Sequence, residues 1–160
     1  MATVTMTGTV TVNAAFLQEI KDVNQDLWRL LSNARRMSHE PAMIYAAPRR
    51  FFGLIEQLRD QLALHFALEE AYGYFDDPVE VAPRLCEQAE RLRAEHRDLY
   101  LSAVALTEFA EQLLLASNNG RLILESARQF RAFDDRFQQH ERAENQLILE
   151  EYDNDIGVGD

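Results

Sequence analysis

The sequence predicts an all-α fold, an antiparallel up-down-up-down four-helix bundle, and three observations predict it. Apolar residues recur at three-to-four spacing through four long stretches. Helix breakers are scarce, with only 6 Gly and 4 Pro in 160 residues, which favours a few long helices over many short strands. The breakers that do occur fall between the stretches: Pro41 and Pro48, Gly73 with YFDDP, and SNNG at 117–120. Short connections between consecutive amphipathic helices make antiparallel neighbours.

Taken in order, residues 1–12 (MATVTMTGTVTV) alternate Thr with small or apolar residues. They could pair as a strand, but a lone strand beside helices is read as a flexible tail. Asn13 is a candidate N-cap for a first helix running to about Ala34, with Phe16, Ile20, Val23, Leu27, Leu30 and Ala34 inward. The segment RRMSHEPAMIYAAP then interrupts the pattern, with His39 in the connecting loop. Pro48 suits the first turn of a second helix that Gly73 ends, its inner face Leu54, Leu58, Leu62, His65, Glu69 and Tyr72. The turn YFDDP leads to a third helix from about Val79–Pro83 to Ser117, with Leu85, Leu92, His96, Leu99, Ala103, Leu106 and Leu113 inward. A fourth runs from about Arg121 to Tyr152, burying Ile123, Ala127, Phe130, Phe137, His140, Glu144 and Leu147. The helical domain thus spans 13–152, and 153–160 (DNDIGVGD) is a polar tail.

Bulk properties exclude several functions. The net charge of −11 argues against nucleic acid or an anionic membrane as partner, since both select basic surfaces. The opening segment lacks a basic n-region and an apolar h-region, so it does not read as a signal peptide, and no run approaches the ~18 apolar residues of a membrane helix. One cysteine, Cys86, forms no internal disulfide and fits a reducing, cytoplasmic setting. There is no Gly-rich phosphate loop, no Ser–His–Asp spacing and no Cys-x-x-Cys.

What remains is histidine. Only 4 occur, and two share one frame: His65 with Glu69, and His140 with Glu144. Residues i and i+4 lie on one helical face, so an imidazole and a carboxylate so placed can meet at one ion. His96 adds a third inward imidazole on a third helix. Heights agree as well. His96 lies 21 residues before Ser117 and His140 19 after Arg121, so both stand roughly 30 Å from the connecting turn. Three imidazoles and two carboxylates in a dry core without a cation would be costly. Metal binding is therefore expected.

The segments HFALEE at 65–70, AEHRDLY at 94–100 and QHERAENQL at 139–147 resemble the metal-binding helices of hemerythrin-like (HHE cation-binding) domains. The resemblance covers about residues 14 to 152. It implies a four-helix bundle around an oxo- or hydroxo-bridged pair of iron ions that binds or senses O2, nitric oxide or redox state. It also implies small-ligand binding rather than enzymatic catalysis, with a small oxidant (O2, NO or peroxide) as partner and a protein partner that reads the signal. By position it makes His65, His96 and His140 terminal ligands and Glu69 and Glu144 bridges. Two positions depart from the pattern. VNQDLWRLL places Asn24 where the family carries a first-helix histidine, and the third helix has Leu92 and Tyr100 where a second histidine is common. One iron is left with His65 as its only histidine, to be completed by water, the Asn24 oxygen, Asp22 or Asp26, or to bind weakly or not at all. Asn24 and Tyr100 are expected to line the site. Two rivals stand beside this: a degenerate bundle with one or no metal acting through protein contacts, and a ferritin-like di-iron oxidase, disfavoured because Glu-x-x-His spacing is absent.

Overall fold

The protein is described by a computed structural model covering residues 9–77, 83–116 and 119–157, with backbone only for Thr9, Asp77, Pro83 and 154–157. It is predominantly helical, as expected. In chain order it comprises β1 (Thr9–Val12), α1 (Ala14–Val23), α2 (Gln25–His39), α3 (Pro41–Ala46), α4 (Pro48–Leu68), a π-helical turn (Glu69–Gly73), β2 (Tyr74–Asp77), α5 (Pro83–Leu115) and α6 (Gly120–Gly157). α4 packs on α5, α5 on α6, and α2 on both α4 and α6, while α1 packs on α6 and the π turn.

The first predicted helix is two helices. Asn24 ends α1 and caps α2, its Oδ1 accepting from Leu27 N at 3.3 Å. Carbonyls left without an intrahelical donor at the break find side chains instead. Trp28 Nε1 donates to Lys21 O at 2.8 Å, and Gln25 Nε2 to Asp22 O at 2.9 Å. The break resets the helical phase. α1 buries Ala14, Leu17, Ile20 and Lys21, whereas Phe16 and Val23, expected inside, face solvent. Asn13 does cap α1, accepting from Phe16 N at 3.1 Å.

Three further boundaries differ from expectation. α2 continues through Arg35–His39, so exposed His39 is a helix-terminal residue, and Pro41 opens a short helix of its own, while Pro48 opens α4 as expected. Thr9–Val12 is not a tail: it pairs antiparallel with Tyr74–Asp77 in the register Val10↔Asp76 and Val12↔Tyr74. The segment expected to be only a turn supplies the missing partner strand. α6 extends to Gly157 rather than stopping at Tyr152. The expected tail residues 1–8 and 158–160, the start of the third helix at 78–82, and Ser117 and Asn118 lie outside the described residues.

The π turn winds one extra residue into the end of α4 and so rotates the residues beyond it. Tyr72, expected inward, is exposed, and Gly73 faces Leu17 so closely that an added Cβ would stand 2.8 Å from Leu17 Cδ1. The inward faces of α5 and α6 are those expected.

Two apolar clusters result. The larger joins Leu27, Leu31, Leu58, Leu62, Phe66, Leu99, Phe130 and Phe137 from α2, α4, α5 and α6. The smaller joins Val10, Val12, Leu17, Tyr74, Leu85, Leu92 and Leu147 from the ribbon, α1, α5 and α6. Along α5, His96 falls between Leu92 of one cluster and Leu99 of the other, and along α6, His140 and Glu144 fall between Phe137 and Leu147. The candidate site lies at this junction, sealed by hydrocarbon on both sides.

Candidate metal centre

Five residues singled out by spacing come together. His65 from the last turn of α4, Glu69 from the π turn, His96 from α5, and His140 and Glu144 from α6 are all buried. His65 Nε2 is 2.7 Å from Glu69 Oε1, and His96 Nε2 is 3.2 Å from Glu69 Oε2 and 3.6 Å from Glu144 Oε2. His140 Nε2 is 3.1 Å from Glu144 Oε1. The rings of His96 and His140 are 4.9 Å apart, as the matched heights on α5 and α6 required.

These short distances are poorly aligned for hydrogen bonding. Nε2 of His65, His96 and His140 and both oxygens of Glu69 are buried without an aligned hydrogen-bond partner. The atoms crowd a shared space rather than point at one another. Glu69, His96, His140 and Glu144 each offer an atom within 4.8 Å of the others, and His65, Glu69 and Glu141 form a second such group sharing Glu69. Ligands about 2.0–2.2 Å from one ion stand roughly 3.0–3.5 Å apart, close to the separations within the first group. The donor set therefore fits a metal ion.

The outer contacts of the imidazoles separate them. His140 Nδ1 donates to Glu95 Oε2 at 2.8 Å and His96 Nδ1 faces Glu70 Oε1 at 3.3 Å. A carboxylate at Nδ1 fixes the proton there and turns the Nε2 lone pair inward, the arrangement of metal-ligating histidines. His65 differs. Its Nδ1 faces Asn24 Nδ2 at 3.0 Å, and the cap to Leu27 already fixes the Asn24 oxygen in the other direction. An amide NH2 only donates, so His65 Nδ1 accepts and its proton resides on Nε2.

Three participants were not legible in the sequence. Lys21, 5 % exposed, brings Nζ to 2.5 Å from Glu141 Oε2, 2.9 Å from Glu144 Oε1 and 3.7 Å from Glu69 Oε1. Tyr74 donates its hydroxyl to Glu144 Oε2 at 2.6 Å. Their signals were masked: Lys21 by the assumed continuity of the first helix, and Tyr74 and Glu141 by pairing across elements that has no sequence spacing. Of the expected lining residues, Asn24 touches His65 from outside. Tyr100 shares a surface hollow with His96, Phe66 and Arg97. Phe66 stacks on His96 with centroids 4.3 Å apart.

Electrostatics follow from this packing of the protein's own groups. Burial works to raise Glu144, but the adjoining His140 and His96 imidazoles and the charge of Lys21 outweigh it and hold the carboxyl well below its usual range. Burial and the nearby Glu144 work to raise Glu69, yet His65 and His96 leave it lowered. Burial pushes Glu141 up, against the pull of Lys21. For Lys21 burial alone would lower the ammonium, and Glu144, Glu141 and Glu69 together hold it above its ordinary value. Burial likewise opposes charge on His96, whose Glu144 and Glu69 partners nonetheless raise it to about 9, and His140 is raised in the same way by Glu144. Burial and Glu144 raise the Tyr74 hydroxyl, which stays protonated.

Among the described residues no helix is long and apolar enough to cross a membrane. Comparison of the chain with protein-family models, with curated proteins and with solved structures found no match in any of the three. The chemistry of the site carries the functional conclusion.

Proposed function

We propose that the chain is a hemerythrin-like non-haem iron protein, an antiparallel up-down-up-down bundle whose buried histidines and glutamates hold iron and bind or sense a small oxidant such as O2, nitric oxide or peroxide. The observation that carries this is the convergence of three imidazole Nε2 atoms and two carboxylates, buried and unaligned for hydrogen bonding among themselves. The mutual packing of α2, α4, α5 and α6 supports the bundle. A mixed set of imidazole and carboxylate ligands is one that non-haem iron takes. Iron at this site would supply a redox-active Lewis acid with room for an exogenous ligand.

The chain's own residues would do the rest. Glu95 and Glu70 orient His140 and His96 through Nδ1, and the Tyr74 hydroxyl holds Glu144. Phe66 walls the site and limits water. The hollow beside His96, lined by Ala63, Phe66, Ala67 and Tyr100 together with Glu70 and Arg97, offers a small ligand a short approach.

The test is metal content by plasma mass spectrometry on untagged protein from iron-supplemented cells, with an aerobic near-UV spectrum, for the wild type and His140→Ala. Iron in the wild type, and a fall of at least tenfold in metal affinity for the variant, is the expected result. Equal metal in both would remove His140 from the site. A second reading, a bundle with one or no metal acting through protein contacts, is favoured by Lys21, whose ammonium already neutralises part of the carboxylate charge. Wild-type protein without metal after anaerobic reconstitution would select it.

A further inference from the structure

We infer that the centre takes a single divalent ion, held by His96, His140, Glu144 and Glu69, and that the Lys21 ammonium serves as its built-in second cation. This rests on the metal-binding reading above and decides how many ions that site accepts. Two independent features carry it.

The first is where the ammonium sits. The second group of converging donors is His65, Glu69 and Glu141. Lys21 Nζ contacts two of these three, at 2.5 Å from Glu141 and 3.7 Å from Glu69, and is 2.9 Å from Glu144. An ion held by Glu69 and Glu141 would stand against an ammonium gripped by the same two carboxylates. Like charges at such range in a buried site repel strongly. Lys21 is anchored by its place in α1, with its carbonyl bound by Trp28 Nε1 at 2.8 Å. The charges also balance: one divalent ion and the ammonium match the carboxylates of Glu69, Glu141 and Glu144, whereas a second divalent ion would leave the interior with excess positive charge.

The second is the tautomer of His65. His96 and His140 face carboxylates through Nδ1, which keep a proton on that nitrogen and leave Nε2 as the one that can give up its proton to an ion. His65 accepts at Nδ1 from Asn24 and so presents Nε2–H. A protonated ring nitrogen has no lone pair for a metal. His65 thus places a proton-bearing nitrogen 2.7 Å from Glu69 Oε1, on the same side as the Lys21 ammonium. Neither feature depends on the other, since Asn24 and Lys21 contact different members of the cluster. Together they make the half-site nearest α1 a place for fixed protons rather than for an ion.

The experiment is an anaerobic titration of the whole chain with cobalt(II), counting bound ions after desalting, in the wild type, Lys21→Arg and the double variant Lys21→Ala/Asn24→Asp, in which a carboxylate facing His65 Nδ1 would hold the proton there. One ion per chain is expected for the wild type and Lys21→Arg, rising toward two for the double variant, where the carboxylates have lost their internal cation and His65 Nε2 is free to bind. Two ions in the wild type would overturn the inference while leaving metal binding intact. So would the double variant still saturating at one ion with a native circular dichroism spectrum. No ion in any of the three would remove the metal reading and this inference with it. Should the double variant fail to fold, manganese(II) bound to the wild type decides. An isolated-ion paramagnetic resonance spectrum supports one ion, and an exchange-coupled pair refutes it.

Discussion

A lysine sealed from water needs anions around it, and three carboxylates without a nearby cation need one just as badly. In this chain the two requirements meet at Lys21, between Glu141, Glu144 and Glu69. Removing one member of a buried ionic group strands the others, at roughly 3–5 kcal/mol. Lys21→Met is therefore expected to destabilise the metal-free protein by about that amount in urea denaturation, and Lys21→Arg by much less. A small effect for Lys21→Met would mean that water or rearranged protons compensate the carboxylates. Glu95 acts at one remove. It is bonded to the outer nitrogen of His140, and loss of such a partner lowers metal affinity about 10–100-fold. Glu95→Ala should show that loss in a competition assay with a chelating dye, with little change in the fold. An unchanged affinity would show that His140 keeps its orientation without Glu95.

Elements deliver these side chains through two interruptions. The break at Asn24 turns Lys21 inward, and the π turn at Glu69–Gly73 turns Gly73 inward and Tyr72 out. Gly73 also fixes the ribbon to α1, its carbonyl accepting from Asn13 N at 2.7 Å. A methyl at Gly73 would meet Leu17 Cδ1 at 2.8 Å, and Leu17 is fully buried, so it has little space to withdraw. Overpacking of this kind costs about 1–3 kcal/mol, and Gly73→Ala should lower the thermal midpoint accordingly. If the midpoint is instead raised, Leu17 has repacked and the contact is softer than the geometry states. On α2, Arg35 grips Asp134 of α6 with two hydrogen bonds of 2.8 and 2.7 Å, a clamp across the same face as the cleft that leads to Lys21 and Glu141.

At the scale of the molecule, two apolar clusters enclose one charged layer, whose burial is costly wherever its carboxylates lack a matching cation. Ligand that binds only the folded state stabilises it by about 2.7 kcal/mol at a hundredfold excess over Kd. Chelation should therefore lower the thermal midpoint, and cobalt(II) or iron(II) should restore it in the wild type but not in His140→Ala. A midpoint indifferent to chelator would argue that the layer is closed by protons and Lys21 alone. The layers also predict where packing matters. Leu62→Ala, fully buried beside the site, should lose about 2–5 kcal/mol whether or not metal is present.

Much of this was written in periodicity. The helical stretches, the inward faces of α5 and α6, and the His65–Glu69 and His140–Glu144 frames arise from three-to-four spacing, because a helix maps sequence separation directly onto angle and height. The same rule put His96 level with His140. It fails where winding changes. Asn24 breaks one helix and the π turn underwinds another, so an unbroken phase places Val23 and Tyr72 inside and leaves Lys21 out, the reverse of their positions in the fold. The pairing of β1 with β2, the hydroxyl of Tyr74 on Glu144 and the ammonium of Lys21 among three carboxylates join residues 48 to 123 positions apart. No local pattern encodes contacts between elements, so only the tertiary structure decided them. The sequence by itself determined that a buried histidine–glutamate centre would form, because each pair lies within a single helical turn. Which of its nitrogens carry protons, and which cation was already inside, depended on neighbours that only folding supplies.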